Sequence, residues 1–542
     1  MEELAARTPG RRTLVAALLA LLAVVWLEPS GSRLAEPDET RYAEIPREML
    51  AAGDLVVPRL NGVPYFEKPP LLYWSNAASL RLFGETPFAA RLPTRLAGLG
   101  TLVLVFFAAQ GAGLGGAAAV FFLAAPMGFL FSRTNLTDGL LTFFLTAALL
   151  VGRAAVLRRE ARQPWRTMAA LFGACAAAGF LTKGLVAIVL PAGIFFAWAV
   201  STGRLATTFR ALVLSPAPLV FLVLALPWLL AAERRHPGFL DFFFVREHFR
   251  RFATGAAKRS GPLYYFVPVF TLGFLPGLAF FARGFWRALR ASDAGFFFFV
   301  WFTVVFCFFS TSASKLPPYL FPAIPAAAVL AAFGMPKAGG RASWIVQAGL
   351  ATVFVVVLLA HPELRAAAKE LHLEAVVAPA CALLVLASWL AVLLAARSKE
   401  LALSSVAAGW VCFFVAIAIG WPKTPQARLT HELAEAARET AAPWKAPIVG
   451  YRDYLNGLSW ELKTPIPVAA YKGELEPEFE TDPALRDALF WDSARFWKAW
   501  QSGRPLVALV RLNDLVELMT ASPPARVVRY SGRHAIVANF PE

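Results

Sequence analysis

The sequence predicts a polytopic α-helical membrane protein with a small α/β domain at its C-terminal end. Three observations predict it. Of its 542 residues, 58% are hydrophobic and only 16% are charged, more apolar surface than a soluble chain of this length encloses. Apolar runs of about 20 residues, the length that crosses a bilayer, recur from the N-terminus to about residue 421. From about residue 424 the composition shifts to short β-like runs and amphipathic helical stretches.

Taken in order, the apolar runs read as about thirteen spans: 12–28, 90–111, 114–132, 138–156, 167–182, 184–201, 209–231, 262–282, 295–312, 317–335, 343–361, 373–396 and 402–421. Arg7, Arg11 and Arg12 precede the first. No small-residue cleavage site follows, so it reads as an uncleaved span. With the N-terminus inside, the inside loops hold Arg153, Arg158, Arg159, Arg162, Arg166, Arg204, Arg210, Arg283, Arg287 and Arg290, then Lys337, Arg341, Arg397 and Lys399. That is the positive-inside pattern. The formal charge of +16 therefore reflects topology, and no nucleic-acid partner is expected. The four cysteines all lie in apolar runs, and the six histidines are dispersed. No nucleotide-binding or metalloprotease motif is present, so no nucleotide cofactor is expected.

The organisation that follows is a membrane domain over 1–423, with a long outside loop at 29–89, and an outside α/β domain over 424–542. In the loop, 40–53 reads as a helix kinked at Pro46, and 71–84 as a helix entered through Pro69–Pro70. Both are amphipathic and would lie along the membrane surface. In the tail, 446–451, 465–471 and 505–510 read as strands, 526–540 as a hairpin around Ser531–Gly532, and 485–501 and 513–519 as helices.

The outside loops collect ionisable groups from distant parts of the chain: Asp38, Glu39, Glu67, Lys68, Asp138, Lys183, the basic stretch 246–252 and Lys315. Such groups at a membrane face suggest a functional site, although any one of them would also suit an ordinary polar loop. Asp38 and Asp138 each open a helical stretch, so either would serve as an N-cap or as a carboxylate in a site. Asp38 and Tyr42 share a helix face, an arrangement suited to a sugar hydroxyl or polar head group. Arg251 suits bidentate phosphate binding. His248 with Glu67 offers two ligands for a divalent ion. Lys315 would either snorkel to the interface or meet an anion.

PDETRYAEIPREM (37–49), PYFEKPPLLYW (64–74), EHFRRF (247–252) and SKLPPYLFP (314–322) together resemble the bacterial aminoarabinose lipid A transferases. These belong to the polyprenyl-phosphate-sugar-dependent transferases of GT-C fold, which include protein O-mannosyltransferases. The resemblance implies a multi-pass inner-membrane enzyme with a cytoplasmic N-terminus and a periplasmic active site and C-terminus. It implies transfer of a sugar, 4-amino-4-deoxy-L-arabinose, from undecaprenyl phosphate to lipid A or another periplasmic acceptor, with inversion. Carried over motif by motif, Lys68, Arg251 and Tyr319, with Lys315 beside them, would hold the donor phosphate. Asp38 and Asp138 would line the reacting centre, and Tyr42, Tyr65, Arg41 and Glu39 would shape the sugar and acceptor pocket. Glu67 and His248 match a metal position. Lys183 has no clear counterpart in the motifs.

The leaving group would be a lipid phosphate, which cationic donors stabilise. An acceptor hydroxyl would need Asp38 as base, whereas an acceptor phosphate would not. Alternatives are a related transferase using another sugar on polysaccharide or protein, and a lipid-linked sugar transporter. Transporters place their charged sites near the midplane, often in repeated halves, and no such repeat is visible.

Overall fold

The computed structural model describes residues 2–250, 261–290, 293–336, 340–475, 479 and 482–541. The chain forms two compact units. One comprises Met1–Glu28, Arg91–Glu233 and Gly238–Gly420; the other comprises Pro29–Ala90, Arg234–Pro237 and Trp421–Glu542.

The first unit is helical. Its elements begin with α1 (Glu2–Trp26), and the segment 29–90 adds α2 (Asp38–Ala52) and α3 (Leu71–Phe83) to the second unit. Then come α4 (Pro87–Gln110), α5 (Gly115–Ala124), α6 (Pro126–Phe131), α7 (Thr137–Glu160), α8 (Arg166–Lys183), α9 (Val186–Ser201) and α10 (Leu205–Leu212). Further helices run to Gly420. Among the described residues, eight helices are long and apolar enough to cross a membrane. A ninth is added if Leu263–Gly273 and Leu275–Ala288, bent by 80°, form one broken span.

The sequence alone suggests about thirteen, and for two of those runs the difference has a physical cause. The run at 114–132 is two helices, α5 and α6, divided where Ala125 turns extended before Pro126. The 16 residues of α9 reach about 24 Å, short of a hydrocarbon core of about 30 Å. Apolarity alone does not separate a short buried helix from a span.

Small residues set the closest packing in this unit. The helix Leu278–Ala288 meets Ile324–Gly334 through Gly284 and Gly334. A Cβ on Gly284 would sit 1.8 Å from the Leu330 carbonyl oxygen, and one on Gly334 would sit 1.9 Å from that of Phe280. Neither backbone could stay so close with any larger residue. Phenylalanine fills the remaining space, as where Phe129 stacks on Phe414 with centroids 4.1 Å apart.

The second unit is built on a six-stranded sheet of order β5-β4-β3-β6-β8-β7. Its strands are β3 (Ile448–Tyr451), β4 (Val468–Ala469), β5 (Phe490–Trp491), β6 (Val507–Arg511), β7 (Arg526–Ser531) and β8 (His534–Ala538). The first four run parallel, and β8 pairs antiparallel with both β6 and β7. The hairpin expected at 526–540 is β7–β8, turning at Gly532 with φ +57°. The helix expected at 485–501 is two, Pro483–Leu489 and Ser493–Gln501, separated by β5. Asp492 caps the second by accepting the Arg495 N–H at 2.7 Å, which is why a new helix starts there. One sheet face packs Phe496, Trp500, Leu515 and Leu518; the other packs Leu433, Ala437 and Leu458.

The loop at 29–90 belongs to this second unit, although its sequence reads as part of the membrane domain. A polar seam holds it there. The short hairpin of β1 (Arg59–Leu60) and β2 (Val63–Pro64) turns at Asn61 and Gly62, both left-handed at φ +51° and +79°, the type I′ geometry that Asn-Gly favours. The Asn61 side chain exchanges two hydrogen bonds with Ile466, Nδ2–H to the carbonyl at 2.9 Å and N–H to Oδ1 at 2.7 Å. Glu48 of α2 accepts the Asn61 and Gly62 N–H groups at 2.7 and 2.8 Å. Arg47 donates to Glu44 at 2.7 and 2.5 Å and to the Lys463 carbonyl at 3.2 Å. Every α2 residue from Glu39 to Met49 is buried. The helix is therefore enclosed, whereas its amphipathic pattern reads as a membrane-surface helix. Charges that would face water are instead paired inside.

Candidate functional site

The residues singled out in the sequence fall into two clusters, one in each unit.

In the second unit, α2 and the strap after β2 bring together Asp38, Arg41, Tyr42, Tyr65, Glu67 and Lys68. Pro37, not Asp38, occupies the N-cap of α2, and no side chain caps it. Asp38 instead accepts a hydrogen bond from the Arg41 guanidinium at 3.3 Å. Arg41 also reaches Glu474 of the tail at 2.9 Å and lies 6.0 Å from the Tyr65 ring centroid. Arg41 thus joins the α2 carboxylate to a tail carboxylate that carries no sequence motif. Glu39 is buried and accepts the Ala35 N–H at 3.0 Å, a contact that shapes the approach to the helix. Tyr42 packs against Tyr73, with centroids 6.2 Å apart.

Three buried polar atoms here have no hydrogen-bond partner among the described residues: Arg41 Nε, Tyr65 Oη and Tyr73 Oη. A fourth, Asn456 Oδ1, belongs to the residue whose amide Nδ2–H donates to Glu474 at 3.4 Å. Leaving such an atom unsatisfied costs about 1–3 kcal/mol, so four together describe a surface that a polyhydroxylated ligand would complete. Burial raises the Tyr65 and Tyr73 phenols well above their usual range. Both therefore stay protonated as donors at neutral pH.

Glu67 and Lys68 turn toward each other. Their charged atoms lie 3.8 Å apart, and the Lys68 ammonium also donates to the Glu67 carbonyl at 2.9 Å. The His248 side chain and all of Arg251 lie outside the described residues. Among those that are described, no three His, Cys, Asp or Glu side chains form a group suited to a metal ion. The expected Glu67–His248 pair thus includes a side chain outside the described residues, and no step is routed through a metal.

In the first unit, Asp138 lies in the first turn of α7 and is buried. Its partner is Lys183, the last residue of α8, at 2.5 Å. The same ammonium stands 4.8 Å from the Tyr319 ring centroid, within cation–π range. Lys183 therefore links two of the expected site residues. Its signal in the sequence was weak: one lysine closing an apolar run. Lys315 is buried and donates to the Ser310 and Ser312 carbonyls at 2.7 and 2.6 Å. It satisfies the carbonyl end of the helix Asp293–Thr311 and fixes the entry to the 3₁₀ segment Pro317–Ala323 that carries Tyr319.

Comparison with known proteins bears on the chain as a whole. Residues 12–243 match the dolichyl-phosphate-mannose-protein mannosyltransferase family, and residues 433–539 match the aminoarabinose transferase C-terminal domain. An undecaprenyl phosphate-α-4-amino-4-deoxy-L-arabinose arabinosyl transferase from Yersinia enterocolitica is 36% identical over 330 residues, 59% of each chain. One from Sodalis glossinidius is 36% identical over 354 residues, 62% of this chain and 63% of its own. The matched region thus spans about three-fifths of the length of these curated relatives. The crystal structure of ArnT from Cupriavidus metallidurans bound to undecaprenyl phosphate superposes with a TM-score of 0.81 at 28% identity, covering 97% of this chain and 98% of that one. A multi-pass helical fold like that of ArnT, joined to a tail that matches the aminoarabinose transferase C-terminal domain, makes the chain similar to the aminoarabinose transferases over most of its length.

Proposed function

We propose that the protein is an inverting membrane glycosyltransferase that moves 4-amino-4-deoxy-L-arabinose from undecaprenyl phosphate to lipid A. The observation that carries this reading is the likeness, over nearly the whole of both chains, to an ArnT bound to undecaprenyl phosphate. The residues present suit the chemistry.

An oxygen of the acceptor phosphate attacks the anomeric carbon from the face opposite the donor. The bond from that carbon to the undecaprenyl phosphate oxygen breaks, and undecaprenyl phosphate leaves with the electron pair. Lys68, Arg251 and Tyr319 stabilise the charge that grows on it. An acceptor phosphate is already ionised and needs no strong base, so Asp38 and Asp138 steady the positive charge developing on the sugar ring. Arg41, Tyr42, Tyr65 and Tyr73 bind the sugar hydroxyls, and Glu474 offers a carboxylate to its ammonium. Lys183 orients Asp138, and Lys315 holds the segment that carries Tyr319.

The enzyme is placed in the inner membrane with its N-terminus cytoplasmic and its tail periplasmic, because the arginine-rich connections then fall inside. The membrane domain is proposed to span 1–423 and the tail domain 424–542. A transferase using another sugar on polysaccharide or protein would share the phosphate-binding residues and differ at Glu474.

The test is transfer by purified protein in liposomes. Radiolabelled undecaprenyl-phosphate sugars are supplied with lipid A, beside the Lys68→Ala variant. Labelled lipid A that depends on Lys68 supports the reading. Movement of lipid-linked sugar across the bilayer without transfer would make the protein a transporter.

A further inference from the structure

A second charged site lies in the first unit, at the other end of α7 from Asp138. The 24 residues of that helix separate its ends by about 35 Å, the thickness of a hydrocarbon core and a little more. Where α7 turns into α8, a cavity of about 330 Å³ is lined by Arg159, Glu160, Arg162, Gln163, Trp165 and Thr207.

Its one carboxylate is already engaged. Glu160 receives the Arg204 Nε–H at 2.9 and 3.1 Å. The Arg159 guanidinium lies 4.7 Å from the centroid of the Trp165 ring. Arg158 and Arg166 stand exposed on either side of the turn. Arg162 is exposed, and among the described residues its guanidinium makes no ion pair. The cavity therefore carries positive charge in excess.

The backbone adds an independent observation. Arg162 adopts φ +55°. Its N–H donates to the Arg159 carbonyl at 3.1 Å, and the Gln163 N–H donates to that of Arg158 at 2.8 Å. This is the helix-ending motif whose left-handed position is normally glycine. Six other non-glycine residues among those described share such a positive φ, so the turn's role here is to set where the Arg162 side chain leaves the backbone. Topology alone asks only for positive charge. It asks neither for an arginine at a glycine position nor for a guanidinium stacked on a tryptophan.

We propose that this cavity binds the phosphodiester headgroup of an anionic phospholipid, with Arg159 and Arg162 on the phosphate oxygens and Trp165 at the membrane interface. Arginine suits phosphate oxygens through its paired donors, tryptophan favours the headgroup level, and basic pockets at helix ends are where anionic lipids dock. The volume is at the lower end of small-ligand sites, suited to a headgroup whose acyl chains stay in the bilayer. The proposal stands apart from the sugar-transfer reading.

The test uses the full-length protein, stripped of lipid in detergent, with binding read by native mass spectrometry. Cardiolipin, phosphatidylglycerol, phosphatidylcholine and inorganic phosphate are each titrated against wild type, Arg162→Gly and Arg159→Gln. Wild type is expected to hold the two anionic lipids in preference to phosphatidylcholine. Each variant is expected to bind them about fivefold more weakly, the effect of losing one cation at an anionic surface. In lipid-free detergent Arg162→Gly is expected to unfold at the wild-type temperature or above it, because glycine suits the left-handed turn. Equal binding by wild type and Arg162→Gly overturns the proposal, as does equal binding of phosphatidylcholine. Retention of inorganic phosphate with no response to lipid assigns the site to a free anion and overturns it too.

Discussion

Replacing Lys183 with methionine keeps most of the side-chain stem and removes the charge that faces Asp138. The pair is 2.5 Å apart, and its side chains are only 15% and 9% exposed. At an effective dielectric of about 20, opposite charges at that distance attract by about 6–7 kcal/mol. Desolvating both ions offsets most of this, so the intact pair adds little net stability. Removing one partner is different, because the other charge stays buried and uncompensated, at a cost of about 3–5 kcal/mol. Lys183→Met should therefore unfold at a clearly lower temperature in detergent, followed by intrinsic tryptophan fluorescence, and should lose transfer. Asp138→Asn should do the same. The double variant Lys183→Met/Asp138→Asn separates structure from chemistry. With both charges gone, most of the stability should return, while transfer stays absent because the carboxylate is missing. Wild-type unfolding of Lys183→Met would refute the energetic argument. Transfer by the double variant would remove Asp138 from the chemistry.

Four further outcomes are expected. Asp38→Asn should lower transfer about hundredfold or more, the usual weight of a positioned carboxylate, and leave unfolding nearly unchanged. Its side chain is 41% exposed and its pair with Arg41 is long at 3.3 Å, worth at most about 1 kcal/mol. Asn61→Ala should destabilise the second unit by about 3–5 kcal/mol, since it orphans the buried Ile466 N–H and carbonyl and puts alanine at positive φ; proteolysis between 29 and 90 would report it. Burial pushes the Glu36 carboxyl up to about 7. Its folded state thus holds the proton more tightly than the unfolded chain, so its contribution is full below about 4.5 and falls by about 3 kcal/mol as pH rises from there through 7. Glu36→Gln should abolish that part of the difference between unfolding at pH 5.5 and 8.5. Chelation with EDTA should leave transfer intact because Lys68 stands on Glu67; loss of activity restored by a divalent ion would return Glu67 and His248 as ligands.

The membrane class and the tail strands were legible because hydropathy and period-2 alternation are local properties. Residues 446–451 carry β3 and 505–510 carry most of β6, and the hairpin turns where Ser-Gly marks it. The number of spans was less legible, for a local reason too. Alanine- and glycine-rich runs such as 115–124 are apolar enough to cross but too short, and only packing decides how they end. The membership of the loop at 29–90 was not legible at all. It depends on Asn61 meeting Ile466, 405 positions away, and on Arg47 reaching the Lys463 carbonyl. No periodicity encodes contacts at that separation.

The site divides along the same line. Asp38, Tyr42, Tyr65 and Lys68 stood out because unusual residues fall close together in sequence, so a motif carries them. Glu474 and Lys183 did not, because each is the distant half of an ion pair whose near half is the motif residue, Arg41 or Asp138. This asymmetry follows from the electrostatics. A buried charge needs a counter-charge of opposite sign at contact distance, but nothing fixes where along the chain that counter-charge lies. A buried motif residue that is ionised therefore implies an unseen partner. The sequence supplies the sign of that partner and the fold supplies its address. By this rule Arg41, buried and shared between Asp38 and Glu474, cannot be exchanged for a neutral residue without disturbing both the α2 carboxylate and the tail. A tail that carries no motif of its own thus holds the N-terminal turn of α2 through one guanidinium.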